Sequence, residues 1–324
     1  MKKIKSDSYD FDISVITPCF NEVENISKCV ESLQKIMKIK LPLIKYEHIV
    51  VDNQSTDGTL KILKELQSRH NNLRILVNSR NVGVAQSIYG ALKLTNGGAV
   101  IPMLPADLQD PVEVIPEFYK KWESGTKIIF GLRKSREEAY FMRLLRKIYY
   151  ETIQKFSESN IPPDAGDFML VDSAVMQTIL ELDDSYPYIR GLVAQAAAPN
   201  STDFVEYTWK KRIGGKSKSS VFVLVDTAIN GLVSTSRVPA RISLIAGFLF
   251  SFLGFCGALI TLFNRLLFDF RVTPGIPTVV IALFVLGGIQ LFFLGLIGEY
   301  VLSIHGNVRR QPRHIVFEVK GSEL

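Results

Sequence analysis

Five short apolar runs rich in β-branched residues punctuate the first 135 positions: ISVIT (13–17), HIVVD (48–52), LRILV (73–77), AVIPML (99–104) and KIIFG (127–131). Stretches of helical character separate them, at roughly 22–39, 57–68, 83–95 and 111–124. Alternation at this spacing predicts right-handed βαβ units and a parallel sheet covered on both faces, an α/β fold. In such sheets ligands bind beyond the carboxyl ends of the strands. Polar clusters occupy those ends here: TPCFNE after the first run, VDNQSTDGT after the second, SRNVG after the third and PADLQD after the fourth. One polar strand-end is an ordinary turn, whereas four on one rim make a site.

That site lacks the usual phosphate cradles. No GxxxxGK[ST] occurs and no GxGxxG follows the first strand, which argues against an NTPase and a nicotinamide enzyme. Carboxylates remain as the chemical candidates. Asp110-Pro111-Val112-Glu113 has the order of an N-cap, a proline at the first helical position and an acid in the first turn, so Asp110 reads as the cap of the 111–124 helix. Asp57 reads the same way for the helix that follows it. Asp107 has no such local task and follows a buried strand, where a carboxylate needs a metal, a donor or water.

The second half of the chain has a different character. Ile242–Phe263 and Ile276–Gly298 are 22 and 23 residues without a charge. Each reaches about 33 Å as a helix, enough for a hydrocarbon core of about 30 Å. Twelve residues, NRLLFDFRVTPG, join them into a hairpin. Its Arg265 and Arg271 are outnumbered by Lys210, Lys211, Arg212, Lys216, Lys218, Arg237 and Arg241 before it and Arg309, Arg310 and Arg313 after it, which places both ends in the cytoplasm. Residues 220–236 are too polar to span; they lie at the interface or against the soluble domain. The expected organisation is a cytoplasmic catalytic domain (1–219), a juxtamembrane amphipathic helix (220–241), transmembrane helices at 242–263 and 276–298, and a cytoplasmic tail (299–324) in the inner membrane. The lysine-rich start has no apolar region behind it, so no cleavable signal is expected. The net charge of +6 is concentrated beside the apolar runs, which suits a membrane surface or a phosphate ligand and not a nucleic acid. Three cysteines without CxxC spacing point to neither disulfides nor zinc.

TPCFNE, VDNQSTDGT, RNVG and ADLQDP, in this order, resemble glycosyltransferase family 2, whose fold is the Rossmann-like GT-A nucleotide-sugar-binding domain. GDFMLVD (166–172), YIRGL (188–192), RIGGKSK (212–218) and GEYVLSIHGNVRRQPRHIV (298–316) are similar to its polyprenyl-phosphate branch, the bactoprenol glucosyltransferases and dolichyl-phosphate mannose synthases. The resemblance implies inverting transfer of a sugar, a hexose or N-acetylhexosamine on UDP, to undecaprenyl or dolichyl phosphate, with Mg²⁺ or Mn²⁺. It implies that Pro18 and Glu22 line the nucleotide pocket, Asp52 meets the base, Asp107 binds the cation and Gln109 shapes the diphosphate site. Arg133 and Arg143 match arginines near the acceptor phosphate, with Arg146 one turn from the latter; Arg212 and Lys218 match a phosphate-contacting pair near the membrane. Two positions depart from the pattern: Pro105 stands where DADLQDP has its first aspartate, and Asn53 stands where VDD has its second. They imply an altered donor pocket.

The chemistry agrees. A phosphate monoester has its second pKa near 6, so the acceptor oxygen is already largely anionic at neutral pH and needs little general base. Bringing two anions together and stabilising the leaving diphosphate is the harder task, suited to arginine, lysine and a cation. Asp167, in GDF, is the residue expected to face the reacting centre, as proton acceptor, as orienter of an arginine or as stabiliser of positive charge on the sugar. His48 and His70 read as structural or exposed, and His305 and His314 have no metal spacing. Gln290 with glycines 287, 288, 295 and 298 permits close helix packing, so a homo-oligomer is expected. The rival readings are a polysaccharide synthase, disfavoured by the absence of QxxRW, and a silent nucleotide-sugar-binding scaffold.

Overall fold

The structure, a computed structural model, describes residues 9–134, 162, 164–184, 187–210, 276–308 and 316–319, with eight isolated positions between 245 and 267. Its strands are β1 (Phe11–Cys19), β2 (Tyr46–Asp52), β3 (Leu73–Asn78), β4 (Gly97–Ile101), β5 (Ile128–Arg133), β6 (Ala165–Asp172), β7 (Thr202–Tyr207) and β8 (Val316–Val319). Its helices are α1 (Ile26–Lys40), α2 (Thr59–Gln67), α3 (Val84–Leu92), α4 (Ile115–Glu123), α5 (Ser173–Glu181), α6 (Ile189–Ala196) and α7 (Ile276–Val308).

One eight-stranded sheet has the order β7-β5-β6-β4-β1-β2-β3-β8. β4, β1, β2 and β3 are parallel, as the alternation predicts. The expectation of a wholly parallel sheet is corrected on both sides of that core. β6 inserts antiparallel between β4 and β5, and β8 pairs antiparallel with β3. The last strand comes from the 299–324 segment, which the sequence reads as a cytoplasmic tail.

The local reasons for the elements are ordinary. α1 buries Ile26, Cys29, Val30, Leu33 and Met37, the i, i+3, i+4, i+7 stripe of a helix lying on a sheet, and ends on Lys38 and Lys40, which suit the negative end of its dipole. α3, α5 and α6 cover one face through Ile88, Met176 and Val193, packed on Ile16, Ile49, Val100 and Met169. α1 and α4 cover the other through Leu33 and Phe118, packed on Val15, Ile129 and Phe168. Phe118 and Phe168 are fully buried with ring centroids 5.0 Å apart, so truncating either to alanine costs about 3–5 kcal/mol.

α7 is 33 residues long. Val279, Leu283, Leu286, Leu291, Phe292, Leu294, Ile297, Val301, Leu302 and Ile304 stand exposed along it. Among the described residues no helix meets the combined length and apolarity needed to cross a membrane. Of the first apolar run, Ile245, Gly247, Phe248, Leu249, Phe252, Cys256 and Phe263 are described, all helical. The 220–241 segment lies outside the described residues.

Candidate active site

The loops after β1 and β2 meet at the rim and are stitched together. Asn53 N–H donates to the Cys19 carbonyl at 2.9 Å, Asn21 N–H to Ser55 Oγ at 2.8 Å, Glu22 N–H to Thr59 Oγ1 at 2.9 Å and Val23 N–H to Asp57 Oδ2 at 3.1 Å. Thr56 N–H returns to Asn21 Oδ1 at 2.7 Å. Asn21, Gln54 and Leu108, one in each of the loops after β1, β2 and β4, hold positive φ of 54°, 61° and 55°. Such backbone costs about 1 kcal/mol or more per residue outside glycine and persists only where its surroundings fix it. The rim is built rigid.

Asp52 ends β2 and is buried. Its carboxylate accepts both from Ser55 N–H, at 3.2 and 3.3 Å, and from Cys19 Sγ at 3.8 Å. Burial raises its pKa, an effect the Ser55 bonds partly offset. The Cys19 thiol is pushed up by burial and then by Asp52, so it remains a thiol. Pro18, beside it, and Glu22 are half-buried, and Glu22 Oε2 accepts from Asn25 Nδ2 at 2.7 Å. The sequence reads Asp57 as the cap of α2, but the N-cap is Gly58; Asp57 precedes it and accepts from Thr59 N–H at 3.0 Å and from Val23 N–H across the rim.

The departure at Asn53 has a structural partner set. Asn53 Nδ2 donates to Asn81 Oδ1 at 2.8 Å, and Asn53 Oδ1 accepts from Asn78 Nδ2 and Val82 N–H, each at 3.0 Å. An amide does both jobs; a carboxylate here cannot donate to Asn81. The amide thereby ties the SRNVG loop to the loop after β2.

Leu104 N–H bonds the Ile16 carbonyl at 2.8 Å and carries the chain past β4 to the rim. Asp107 is half-buried there, and its Oδ1 accepts from Gln109 N–H at 3.1 Å. Lys210 N–H, just beyond β7, donates to the Gln109 carbonyl at 2.9 Å. The basic run at 209–218 therefore starts against this loop. Among the described residues no group of three or more His, Cys, Asp or Glu side chains is placed to cage a metal. One carboxylate beside a diphosphate is nevertheless the donor set that Mg²⁺ or Mn²⁺ commonly uses, and Asp107 fits it.

Asp110 corrects the sequence reading. The first helical turn after it, Val112–Val114, is a 3₁₀ turn with Pro111 ahead of it and no side-chain cap. The Asp110 carboxylate is buried and instead accepts from Arg133 Nη2 and Nε, at 3.0 and 3.2 Å, and from Tyr207 Oη at 2.6 Å. Local order suggested a cap; a partner 23 residues away won.

Asp167 lies near the rim end of β6. Among the described residues its carboxylate takes no hydrogen bond or ion pair. Arg190, of the YIRGL segment, donates from Nη1 to the Ala165 carbonyl at 2.8 Å and to Tyr188 Oη from Nη2 at 2.7 Å, and so steadies the start of that strand. The YIRGL motif carries the family resemblance, and the structure gives its arginine this bracing task. Arg143, Arg212 and Lys218 lie outside the described residues.

A mixed α/β sheet whose four parallel core strands deliver polar loops to one rim, with carboxylates at the ends of β1, β2 and β4, has the ligand-site layout of the doubly wound class. The family model described as glycosyl transferase family 2 matches residues 14–180. An uncharacterized glycosyltransferase of Synechocystis sp. is 31% identical over 314 residues, 96% of either chain. A prophage-derived bactoprenol glucosyl transferase of Shigella flexneri is 29% identical over 305 residues, covering 94% of this chain and 97% of its own. A Pyrobaculum calidifontis mannosyltransferase, solved with GDP-Man and Mn²⁺, is 16% identical with a TM-score of 0.44, covering 82% of this chain and 89% of its own. The chain belongs to glycosyl transferase family 2 and is a glycosyltransferase.

Proposed function

We propose that this glycosyltransferase moves a hexose or N-acetylhexosamine from a UDP-sugar to the phosphate of a membrane polyprenol, with inversion, at the cytoplasmic face of the inner membrane. The observation that carries the reading is the pairing, in one chain, of the carboxylate-bearing rim with a 33-residue helix studded with exposed apolar side chains. A water-soluble donor fits the first and a lipid acceptor the second. Relatives named for bactoprenol, aligned over nearly the whole chain, support it.

In this reading Pro18, Glu22 and Asp52 hold the nucleoside, and Asp107 and Gln109 hold the diphosphate side, Asp107 with Mg²⁺ or Mn²⁺. The cation, when bound, supplies positive charge against the departing diphosphate. Asp107 presents the carboxylate for it, and the Gln109 N–H fixes that carboxylate's orientation. The stitched loops after β1 and β2 keep the pocket from rearranging as charge develops. Asp167 faces the sugar's reacting carbon and stabilises positive charge there. Arg143, Arg212 and Lys218 gather the acceptor phosphate. Gln290 with Gly287, Gly288, Gly295 and Gly298, glycines around which an added methyl meets nothing within 4 Å, serves contact with a second copy in the bilayer.

The test is to incubate the purified full chain with labelled UDP- and GDP-sugars, Mn²⁺ and polyprenyl phosphate. Label entering the lipid fraction from a UDP-sugar is the expected result. Label found only in polymer, or nucleotide binding without turnover, refutes it.

A further inference from the structure

The Asp110–Arg133 pair, with its carboxylate buried and its guanidinium partly exposed, lies beside the rim. Its two parallel bonds, 3.0 and 3.2 Å, form the side-on fork that arginine makes with a carboxylate. Tyr207 Oη closes the group, donating to Asp110 at 2.6 Å and accepting from Arg133 Nε at 3.2 Å. The Trp209 ring covers the guanidinium at 5.4 Å. On the remaining side the chain has a glycine: a Cβ at Gly166 would stand 3.0 Å from Arg133 Nη2 and 3.1 Å from Cζ. A Cβ at Gly131 would meet Tyr207 Cε1 at 2.7 Å. Two glycines thus admit the cluster. Burial opposes the arginine's charge, but Asp110 and Tyr207 more than offset this and raise its pKa.

The cluster joins the loop after β4 to the ends of β5 and β7 and the start of β6. Asp110 is the anchor of the turn that presents Asp107 and Gln109, and its neighbour Gln109 receives Lys210 N–H at 2.9 Å. We infer that Arg133 and Asp110 are positioning residues for transfer: together they hold the Asp107–Gln109 turn and the first residues of the basic segment in register, a task separate from any contact Arg133 makes with the acceptor phosphate. The bonds to Asp110 and Tyr207 use Nε and Nη2, so Arg133 braces the turn whatever its Nη1 faces. The inference rests on reading Asp107 and Gln109 as the diphosphate side of the donor pocket.

Two measurements on the full chain in detergent, without lipid acceptor, decide it: amide exchange across residues 104–110, and the Kd of UDP with Mn²⁺. Arg133→Gln and Asp110→Asn each speed exchange in that turn at least tenfold and weaken UDP·Mn²⁺ at least tenfold, and the double variant is no worse than the worse single. Tyr207→Phe, which removes one hydroxyl, moves both in the same direction by a smaller factor. It keeps the question open to measurement if the charge variants fail to fold. Unchanged exchange and unchanged UDP·Mn²⁺ affinity in Arg133→Gln, with a raised KM for polyprenyl phosphate, overturns the inference and returns Arg133 to the acceptor. If the wild type fails to bind UDP·Mn²⁺, the donor reading falls, and the exchange rates still decide whether Arg133 positions the turn.

Discussion

Arg74→Met is the most informative perturbation of the scaffold. Glu47 is fully buried in β2 and its carboxylate is held by three groups. Ser14 Oγ and Asn96 N–H donate to Oε1 at 2.5 and 2.7 Å, and Arg74 Nη1 donates to Oε2 at 2.6 Å. The same guanidinium reaches Glu318 of β8 through Nε at 2.9 Å and the Leu94 carbonyl at 2.9 Å. Methionine keeps most of the apolar stem and deletes the fork, which leaves Glu47 Oε2 buried against nothing. Breaking a fully buried pair costs about 3–5 kcal/mol. Arg74 is 22% exposed and Glu47 keeps two donors, which lowers the expectation to about 2–3 kcal/mol. Glu318 is 33% exposed, so Glu318→Gln should cost only about 0.5 kcal/mol. In the Glu47→Gln/Arg74→Met double variant the stranded charge is gone, and its cost should fall short of the sum of the singles by about 1–2 kcal/mol. Urea unfolding of the full chain in detergent, followed by tryptophan fluorescence, measures all four. If Arg74→Met costs no more than Glu318→Gln, Glu47 is satisfied without its arginine and the reasoning fails.

Three further outcomes are expected. Burial lowers the pKa of His48 to about 3, so it stays neutral in the fold while the unfolded chain takes up a proton near pH 6.5. Stability from this group is therefore intact above about pH 6.5 and lost as pH falls toward 3, by about 2 kcal/mol between pH 7.5 and 5; a His48→Gln variant whose stability falls just as steeply over that range contradicts it. Asp107→Asn should reduce transfer at least about a hundredfold, because it removes the carboxylate offered to the cation; near-normal, chelator-sensitive activity refutes that role. Asn53→Asp sets an acceptor against Asn81 Oδ1, which already accepts from Gly83 N–H at 3.0 Å, and should cost about 1–3 kcal/mol in unfolding experiments, so an unchanged midpoint sinks the account of the amide network.

The parallel core was readable because its signals are local. Each of β1 to β4 is a run of β-branched residues with a helix-period stretch behind it, and the rim loops are the polar residues at the strand ends. What escaped was set at long range. β6 enters between β4 and β5 after 31 intervening residues, and nothing in AGDFMLVD distinguishes an antiparallel insertion from another parallel strand. β8 is only four residues, VFEV, too short to register by pattern, and its place depends on β3 and Arg74. The Asp110 error has the same origin. Its neighbours Pro111 and Glu113 satisfy every local rule for a cap, while Arg133 and Tyr207, which claim its oxygens, are close only in three dimensions. Asp52 and Asp107 reach the rim by local placement, one ending β2 and the other just past β4, while the base contact of Asp52 is implied by the family resemblance alone.

β8 also constrains how the apolar half must be threaded. It runs antiparallel to β3 with Val316 opposite Asn78, so the chain enters the sheet at the rim end. α7 ends at Val308, eight residues earlier, which keeps its carboxyl end within about 28 Å of that rim. The helix itself is about 50 Å long, so its Ile276 end can lie far from the sheet. The outgoing chain leaves from the same side, because β7 is parallel to β5 and Lys210 bonds Gln109 at the rim. A single crossing by α7 would then require the segment before it to start on the wrong side. Any crossing by α7 demands a second between Lys210 and Ile276, for which 242–263 is long enough, and under the proposed function both connections would hold the rim near the lipid headgroups. A cysteine placed at Asp269 in a chain whose own three cysteines are replaced should react with a membrane-impermeant maleimide from outside intact cells, whereas one at Ser322 should react only after lysis. Reaction of both positions from the same side refutes the proposed hairpin, and with it the proposed approach of a lipid phosphate to Asp107.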